Sequence, residues 1–526
     1  VGKNSADLTA NMSHLEENSC LVSTPIYYVN ASPHLGHFYG TVVADFIHRF
    51  EKMTGKRSFF LTGTDEHGEK IEASAQKKGI TPQEFTNAVS KEFSESWKEL
   101  KLNFDKFYRT TDPKHIKLVQ NVLQNLKDKG DIYQADYEGN YCVGCERYLK
   151  DTELNNEGFC PDHLKKPDAR KESGYFFKME KYQEKLVEHY HQNNKSIVPS
   201  HFKKEILSML QEPIGDLSIS RPKSRTSWGI ELPFDSENVT YVWFDALLNY
   251  LGGIGYDGNE NINFDCELWA GSQHVIGKDI LKTHAIYWPC MLLSMEMALP
   301  KKIITSGHWQ VKKLKMSKSI GNVIEPVSLC KEFGTDPVRY FLLSEMSFGM
   351  DASFSQESLV QKANSDLANG LGNLTSRSLT LLKKNFEFKI PAREEENPLL
   401  EKMKECAEKV LEEWKESRYH IGCQKIMESV QHVDRYINEK EPWKLAKVPE
   451  KREELAAVLR NTFECLCFFS RIFYPLCPEK AVELHNALGL KDEPMLWENL
   501  FNFPGENHLI LELPRLFPRL EIKVEA

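Results

Sequence analysis

The hydrophobic pattern of this chain changes character twice, and those changes limit the possible folds more than any single motif. From about residue 20 to 115, apolar runs of strand length alternate with runs at helical spacing: strand 20–23, helix 37–53, strand 58–62, then helices 69–79 and 82–101. The alternation lapses and resumes near Tyr241-Val242-Trp243-Phe244. It continues through His274-Val275-Ile276-Gly277, a helix containing Ile280 to Trp288, and the strand Lys302 to Thr305. Strands joined through helices build a parallel sheet, so the two stretches predict one α/β sheet interrupted by an insertion at roughly 116–230, with a ligand crevice at the carboxyl ends of its strands. Beyond Glu325 the pattern turns to long helical periodicity over 357–385, 397–417, 420–439 and 452–472, broken at Pro391, Pro442 and Pro475. That predicts a helical bundle.

Two polar runs sit at the edges of these elements. His34-Leu35-Gly36-His37 follows the strand-like Cys20-Leu21-Val22-Ser23 and precedes Val42, Val43, Phe46, Ile47 and Phe50 at helical spacing. Strand, turn and helix open a βαβ unit whose helix start attracts phosphate through its backbone N–H groups and dipole. His34 and His37 then fall on one side, in reach of phosphoryl oxygens. Far downstream, Lys315-Met316-Ser317-Lys318-Ser319 leads into Gly321-Asn322, and the stretch from Lys301 to Lys318 holds six lysines and no acid. Such a loop can close on a polyphosphate and neutralise charge on a departing pyrophosphate. Either run alone has an ordinary reading, as capping histidines or as solvated lysines. Paired in this order on an α/β pattern, they predict the two sides of an ATP site.

The length of 526 residues suggests three or four domains, and 41% hydrophobic with 27% charged residues is ordinary for a globular chain. No apolar stretch is long enough to span a membrane, and the polar start lacks the order of a secretion signal, so residues 1–19 read as a flexible leader with Met12 a candidate start. A net charge of −9 argues against indiscriminate coating of nucleic acid while leaving room for a local basic face toward one RNA.

Twelve cysteines in this length are not a disulfide framework, and three of them join one histidine in a metal pattern. Cys142-x-x-Cys145, then Cys160-x-x-His163, has the spacing of a closed tetrahedral zinc site, which is structural because no coordination position stays open. The intervening Asp151 to Gly158 is too polar to hold itself folded, so the ion would supply folding energy. Cys465 and Cys467 fall in an apolar helix and read as core. A reducing compartment is expected: the cytoplasm, with an organelle matrix as the alternative.

Together with Thr62-Gly63-Thr64-Asp65-Glu66-His67-Gly68, Tyr241-Val242-Trp243-Phe244-Asp245-Ala246 and Gly277-Lys278-Asp279-Ile280, these runs resemble the class I methionyl-tRNA synthetases from about residue 20 to 520, most closely the bacterial and organellar branch with one zinc knuckle. The resemblance implies an α/β, Rossmann-type parallel-sheet catalytic domain (20–115 and 231–325) split by an insertion (116–230, knuckle at about 140–165). A stem-contact connector (326–360) and a helical-bundle anticodon domain (361–526) follow. The implied activity is ATP-dependent joining of L-methionine to tRNA(Met) through methionyl-adenylate, with Mg²⁺ on the ATP and one structural Zn²⁺.

Carried over residue by residue, the resemblance puts ATP on His34, Gly36, His37, Lys278, Lys315, Met316, Ser317, Lys318 and Ser319, with His34, His37, Lys315 and Lys318 catalytic. It puts methionine against Ile26, Tyr28, Trp243, Ala246, Tyr250, Ile280, His284 and Trp288, with Asp65 on the ammonium, and the anticodon on Asn373, Arg377 and Trp443. The chemistry is compatible: a thioether gains from aromatic contact, a carboxylate pairs with an ammonium, and unstacked bases are read by edge hydrogen bonds and stacking. A methionine carboxylate is already ionised at neutral pH, so adenylate formation needs alignment and cations rather than a general base.

The insertion is taken up largely by the knuckle, so no separate editing domain is expected. The chain stops soon after Leu516-Phe517-Pro518-Arg519-Leu520 without an appended dimerising domain, and a monomer is expected. On the two ATP runs alone, leucine, isoleucine, valine or cysteine relatives stay open, as do smaller mononucleotide adenylyltransferases, which lack a long helical region. A catalytically silent RNA-binding relative also stays open, opposed by the intact His34, His37, Lys315 and Lys318.

Overall fold

The computed structural model describes residues 18–30, 32–142, 147–149, 151, 154–161, 164–311, 314–315, 323–393 and 396–522. Its centre is a parallel sheet. Ser19–Ser23 pairs with Arg57–Asp65 on one edge and Gln273–Gly277 on the other, and Lys302–Ser306 and Ile197–Val198 extend the sheet beyond Gln273–Gly277. Tyr27–Tyr28 prolongs the line of the first strand, and Lys106–Arg109 lies on the far edge of Arg57–Asp65. The edge strand Ile197–Val198 comes from within the stretch predicted as an insertion.

Both faces of the sheet are covered, as the near-continuous apolar strands require. Cys20, Val22, Phe60, Val275 and Ile304 contribute to one core, while Leu21, Leu61, Ile276 and Ile303 contribute to the other, the two-residue period of a strand. The first core also takes in the helix Leu35–Met53 and the helical region. Phe46 meets Trp414 edge-on with ring centroids 4.9 Å apart, and Tyr419 at 5.0 Å. Burying a side chain of this size stabilises by about 1.5–3 kcal/mol.

The stretch between the two halves of the sheet contains a second, antiparallel sheet in the order Arg147–Leu149, Ile132–Cys142, Asp168–Phe177, Leu217–Ser218. Past Glu325, whose carboxylate caps Pro326–Phe333, helices predominate: Thr335–Ser344, Gln356–Lys362, Asn373–Phe386, Leu400–Lys415, Tyr419–Lys440 and Arg452–Ile472. No helix among the described residues is long and apolar enough to cross a membrane.

Two predicted helices are not regular. The one expected over Ile280 to Trp288 is a short 3₁₀ turn, a π-helical stretch Thr283–Tyr287, and then Trp288–Ser294. Pro289 has no N–H to give the carbonyl four residues before it. That carbonyl, of Ala285, accepts instead from the Tyr190 hydroxyl at 2.6 Å. The helix expected over 357–385 is interrupted by the π-helical Ala363–Gly372, where Gly370 leaves helical geometry at ψ −105°. A Cβ on Gly370 would lie 3.0 Å from the Met427 Cε, the mobile end of that side chain.

Candidate active site

His34 is the N-cap of Leu35–Met53, so the helix begins two residues earlier than its apolar spacing indicated. Its Nδ1 accepts from the backbone N–H of Gly36 at 3.0 Å and of His37 at 3.4 Å, while the His37 Nδ1 accepts from the His34 N–H at 3.4 Å. The reciprocal caps satisfy donors that a helix start leaves orphaned. They also stack the two rings, centroids 3.6 Å apart. With each Nδ1 accepting, the proton of each neutral imidazole sits on Nε2, so each ring keeps an N–H donor that the caps do not use. Gly36 suits this packing: a Cβ would stand 2.9 Å from the His34 Cε1 and push the capping ring aside. Tyr27 backs His37, ring to ring at 4.9 Å, with its hydroxyl on Thr41 at 2.7 Å.

These histidines line a cavity of about 680 Å³ at the carboxyl ends of the central strands. Of the residues carried over by resemblance, Ile26, Tyr28, His34, Gly36, His37, Asp65, Trp243 and Ile280 line it. The strand ends supply Tyr28, Asp65, Gly277 and Ser306, which explains why residues so distant in sequence meet. Sequence reasoning missed Tyr39, Lys70, Asp279, Lys282, His308 and Trp309, which also line it. Of these, only Asp279 stood within a quoted signature.

Tyr250, His284 and Trp288 form a fully buried layer outside the lining, with Ala246 also buried. His284 meets the lining Trp243 edge-on at 6.4 Å. Burial pushes the His284 imidazole down to about 4, so it is neutral at pH 7. Its Nδ1–H donates to the Ile280 carbonyl at 3.0 Å, leaving Nε2 to accept from the Tyr250 hydroxyl at 2.7 Å. Burial likewise raises the Tyr250 phenol far above its ordinary value. The layer is therefore uncharged and polarizable, suited to support a pocket for an apolar, sulfur-containing chain.

Lys278 stands between the lining residues Gly277 and Asp279, with its ammonium on Asp351 at 2.8 Å. The backbone of Leu314–Lys315 pairs with Trp309–Val311, placing the stalk of the lysine loop beside the lining Trp309. The Lys315 side chain, Met316, Ser317, Lys318 and Ser319 lie outside the described residues, as do Cys145 and His163.

Cys142 and Cys160 share a small buried cluster with Leu149, against which Leu154 packs. A turn closed by Cys160 N–H to Lys165 O at 2.9 Å and Leu164 N–H to Cys160 O at 2.8 Å presents the second thiol. Two buried thiols of one small cluster, on a strand end and a turn, fit half of a zinc knuckle; among the described residues, no group of three or more candidate ligands is assembled.

In the helical region, Asn373 is exposed and Arg377 lies one turn along the same helix. Arg377 donates to Asp434 at 2.9 Å and to Asn438 at 2.8 Å, and its guanidinium sits 4.9 Å from the Trp443 ring centre. Asp434 and Asn438 line a hollow of about 540 Å³ with Asn369, Gly370 and Arg435, at the π-helical interruption.

Residues 20–170 and 163–379 match the family described as tRNA synthetases class I (M). The chain is 40% identical to the methionine–tRNA ligase of Fusobacterium nucleatum over 518 residues, 96% of this chain and 80% of that protein. To the methionine–tRNA ligase of Deinococcus radiodurans it is 43% identical over 482 residues, 89% and 70% of the respective lengths. Its fold superimposes on Mycobacterium tuberculosis methionyl-tRNA synthetase in complex with methionyl-adenylate with a TM-score of 0.92 at 33% identity, covering 95% of this chain and 100% of that one. On the free-state structure of that protein the TM-score is 0.85 at 30% identity, covering 96% and 99%.

Proposed function

This chain belongs to the class I methionyl-tRNA synthetases, and from that premise we propose how its own residues divide the work. The reaction is ATP-dependent activation of methionine to methionyl-adenylate, followed by transfer to tRNA. The observation that carries the assignment of residues is the cavity in which the stacked His34 and His37 face the same space as Tyr28, Asp65 and Trp243.

In the proposed arrangement the Nε2–H groups of His34 and His37 hold phosphoryl oxygens at the helix start, where the dipole adds to their attraction. ATP enters with Mg²⁺. Lys315 and Lys318, with Lys278 as a further contact, neutralise charge as pyrophosphate departs, and Gly36, Met316, Ser317 and Ser319 also contact ATP. Asp65 takes the methionine ammonium. Ile26, Tyr28, Trp243 and Ile280 touch the side chain, with Ala246, Tyr250, His284 and Trp288 behind them. The methionine carboxylate then attacks the α-phosphorus with no proton to remove, so alignment and electrostatics supply the acceleration. In the second step a ribose hydroxyl of tRNA(Met) attacks the adenylate carbonyl, the carbonyl–phosphate anhydride bond breaks, and AMP leaves with the methionyl ester formed.

The division of labour along the chain is proposed as catalytic halves around the central sheet, with Cys142, Cys145, Cys160 and His163 holding one zinc that supplies folding energy to the knuckle. Asn373, Arg377 and Trp443 read the anticodon. The direct test is ATP–pyrophosphate exchange with each of the twenty amino acids. Methionine alone should support efficient exchange, and efficient exchange with another amino acid in its place would overturn the reading.

A further inference from the structure

Asp245 lies two residues after the lining residue Trp243 on the helix Val242–Leu247, and it is fully buried. Both of its carboxylate oxygens are occupied by imidazoles from elsewhere in the chain. The His67 Nδ1 is 2.7 Å from Oδ2 and the His115 Nε2 is 2.5 Å from Oδ1, with His67 5% and His115 0% exposed. The Tyr108 hydroxyl lies 3.0 Å from the remaining His115 nitrogen, so His115 donates to Asp245 and accepts from Tyr108. Gly252 leaves room for that hydroxyl: a Cβ there would be 2.3 Å from it. Burial alone would raise the Asp245 carboxyl, and the two imidazoles outweigh it, holding the group below its ordinary value.

His67 is two residues beyond Asp65, and every residue around Asp65 is tied down. Tyr28 pairs with Asp65 along the strand, and the Val29 N–H donates to its carbonyl at 3.2 Å. The Glu66 carboxylate takes Arg109 at 2.7 and 2.8 Å, its N–H reaches Thr110 at 2.9 Å, and its carbonyl accepts from the Trp228 indole at 2.5 Å. The tie at His67 leads to the helix Val242–Leu247 that carries Trp243.

We propose that Asp245 is a positioning residue for methionine selection, locking the Asp65 turn and the Trp243 helix to one buried anchor so that the ammonium and side-chain contacts keep a fixed separation. The inference rests on the reading that Asp65 and Trp243 contact methionine. Asp245→Asn removes the charge and turns an N–H donor toward one imidazole, which must change tautomer or lose its hydrogen bond, so one arm is weakened while the volume is kept.

The test compares Asp245→Asn and Asp65→Ala with the parent in pyrophosphate exchange, measuring KM for methionine and for ATP separately. Asp245→Asn should raise the methionine KM about tenfold or more with the ATP KM within about twofold, a split that general loosening of the fold would not produce. If Asp245→Asn lowers the melting temperature appreciably, His67→Ala, which removes one arm and leaves the His115 arm, carries the same comparison. If Asp65→Ala raises the methionine KM but neither Asp245→Asn nor His67→Ala does, the positioning role is wrong and the reading of Asp65 stands. If Asp65→Ala leaves the methionine KM unchanged, that reading fails, and this inference with it. Parallel rises in both KM values would also overturn it.

Discussion

The Asp45 carboxylate and the Arg339 guanidinium meet at 2.7 Å with both side chains buried, joining the helix that begins at His34 to a helix more than two hundred and eighty residues away in sequence. Arg49 reaches the same oxygen at 2.7 Å, the Asn103 N–H reaches the other at 2.7 Å, and Arg339 goes on to the carbonyls of Pro475 and Leu476. The helix Leu35–Met53 is thereby held in register with the helical region.

Breaking a buried pair of this kind leaves an uncompensated charge, so Asp45→Asn should cost about 3–5 kcal/mol in urea unfolding at pH 7. Its pH dependence has a definite sign. Burial would raise the Asp45 carboxyl, but Arg49 and Arg339 hold it well below the usual range. Its contribution is thus full above about pH 4, the unfolded value, and declines as pH falls further. Asp336, raised by burial to about 6, behaves oppositely: its contribution is full below about pH 4 and is lost as pH climbs through 6. Asp336→Asn keeps an acceptor for the Lys480 N–H, held at 2.7 Å. It should therefore match the parent near pH 4 and exceed it in stability above pH 6. Variant-minus-parent differences that do not change across pH 3–7 would contradict both assignments.

The two duties of His34 can be separated. Asparagine is a strong N-cap but cannot extend an Nε2–H into the cavity, so His34→Asn should keep unfolding stability within about 1 kcal/mol of the parent. Pyrophosphate exchange should fall by about 10²–10³-fold, the usual loss for one aimed donor. A large stability loss with exchange retained would make the residue a cap alone.

Trp443 is 36% exposed and held by Arg377, a geometry suited to stacking rather than to core packing. Trp443→Ala should weaken tRNA(Met) charging by raising the KM for tRNA, while methionine-dependent pyrophosphate exchange stays within about twofold of the parent. Loss of both activities together would identify a structural tryptophan.

Much of this arrangement is legible in sequence because it is local. The strands around Leu21, Phe60, Val275 and Ile304 show their period, and His34 to His37 is a compact signature at a helix start. What sequence does not carry is set by partners far away. Within the π-helical turn Thr283–Tyr287, the Ala285 carbonyl that Pro289 cannot reach accepts from Tyr190, a partner 95 residues away that nothing near Ile280 announces. Asp245 shows only as part of a motif, since the imidazoles that give it meaning lie 178 and 130 residues distant. Tyr39 and Trp309 carry no signature of their own and enter the cavity wall only because helix and strand ends converge there.

If Cys142 and Cys160 belong to a zinc knuckle with Cys145 and His163, purified protein should contain one zinc per chain by elemental analysis. Chelation should then unfold the antiparallel sheet around Ile132–Cys142 before the central parallel sheet, seen as early loss of amide-exchange protection there. Absence of zinc together with full protection would remove the metal from the account.

The most direct measurement is a crystal structure with methionine and a non-hydrolysable ATP analogue bound. The account predicts the Nε2 atoms of His34 and His37 within hydrogen-bond distance of phosphate oxygens, Lys315 and Lys318 on the far side of the same triphosphate, and the methionine ammonium on Asp65. Imidazoles and ammonium groups facing separate cavities, or a triphosphate bound away from the start of Leu35–Met53, would contradict it.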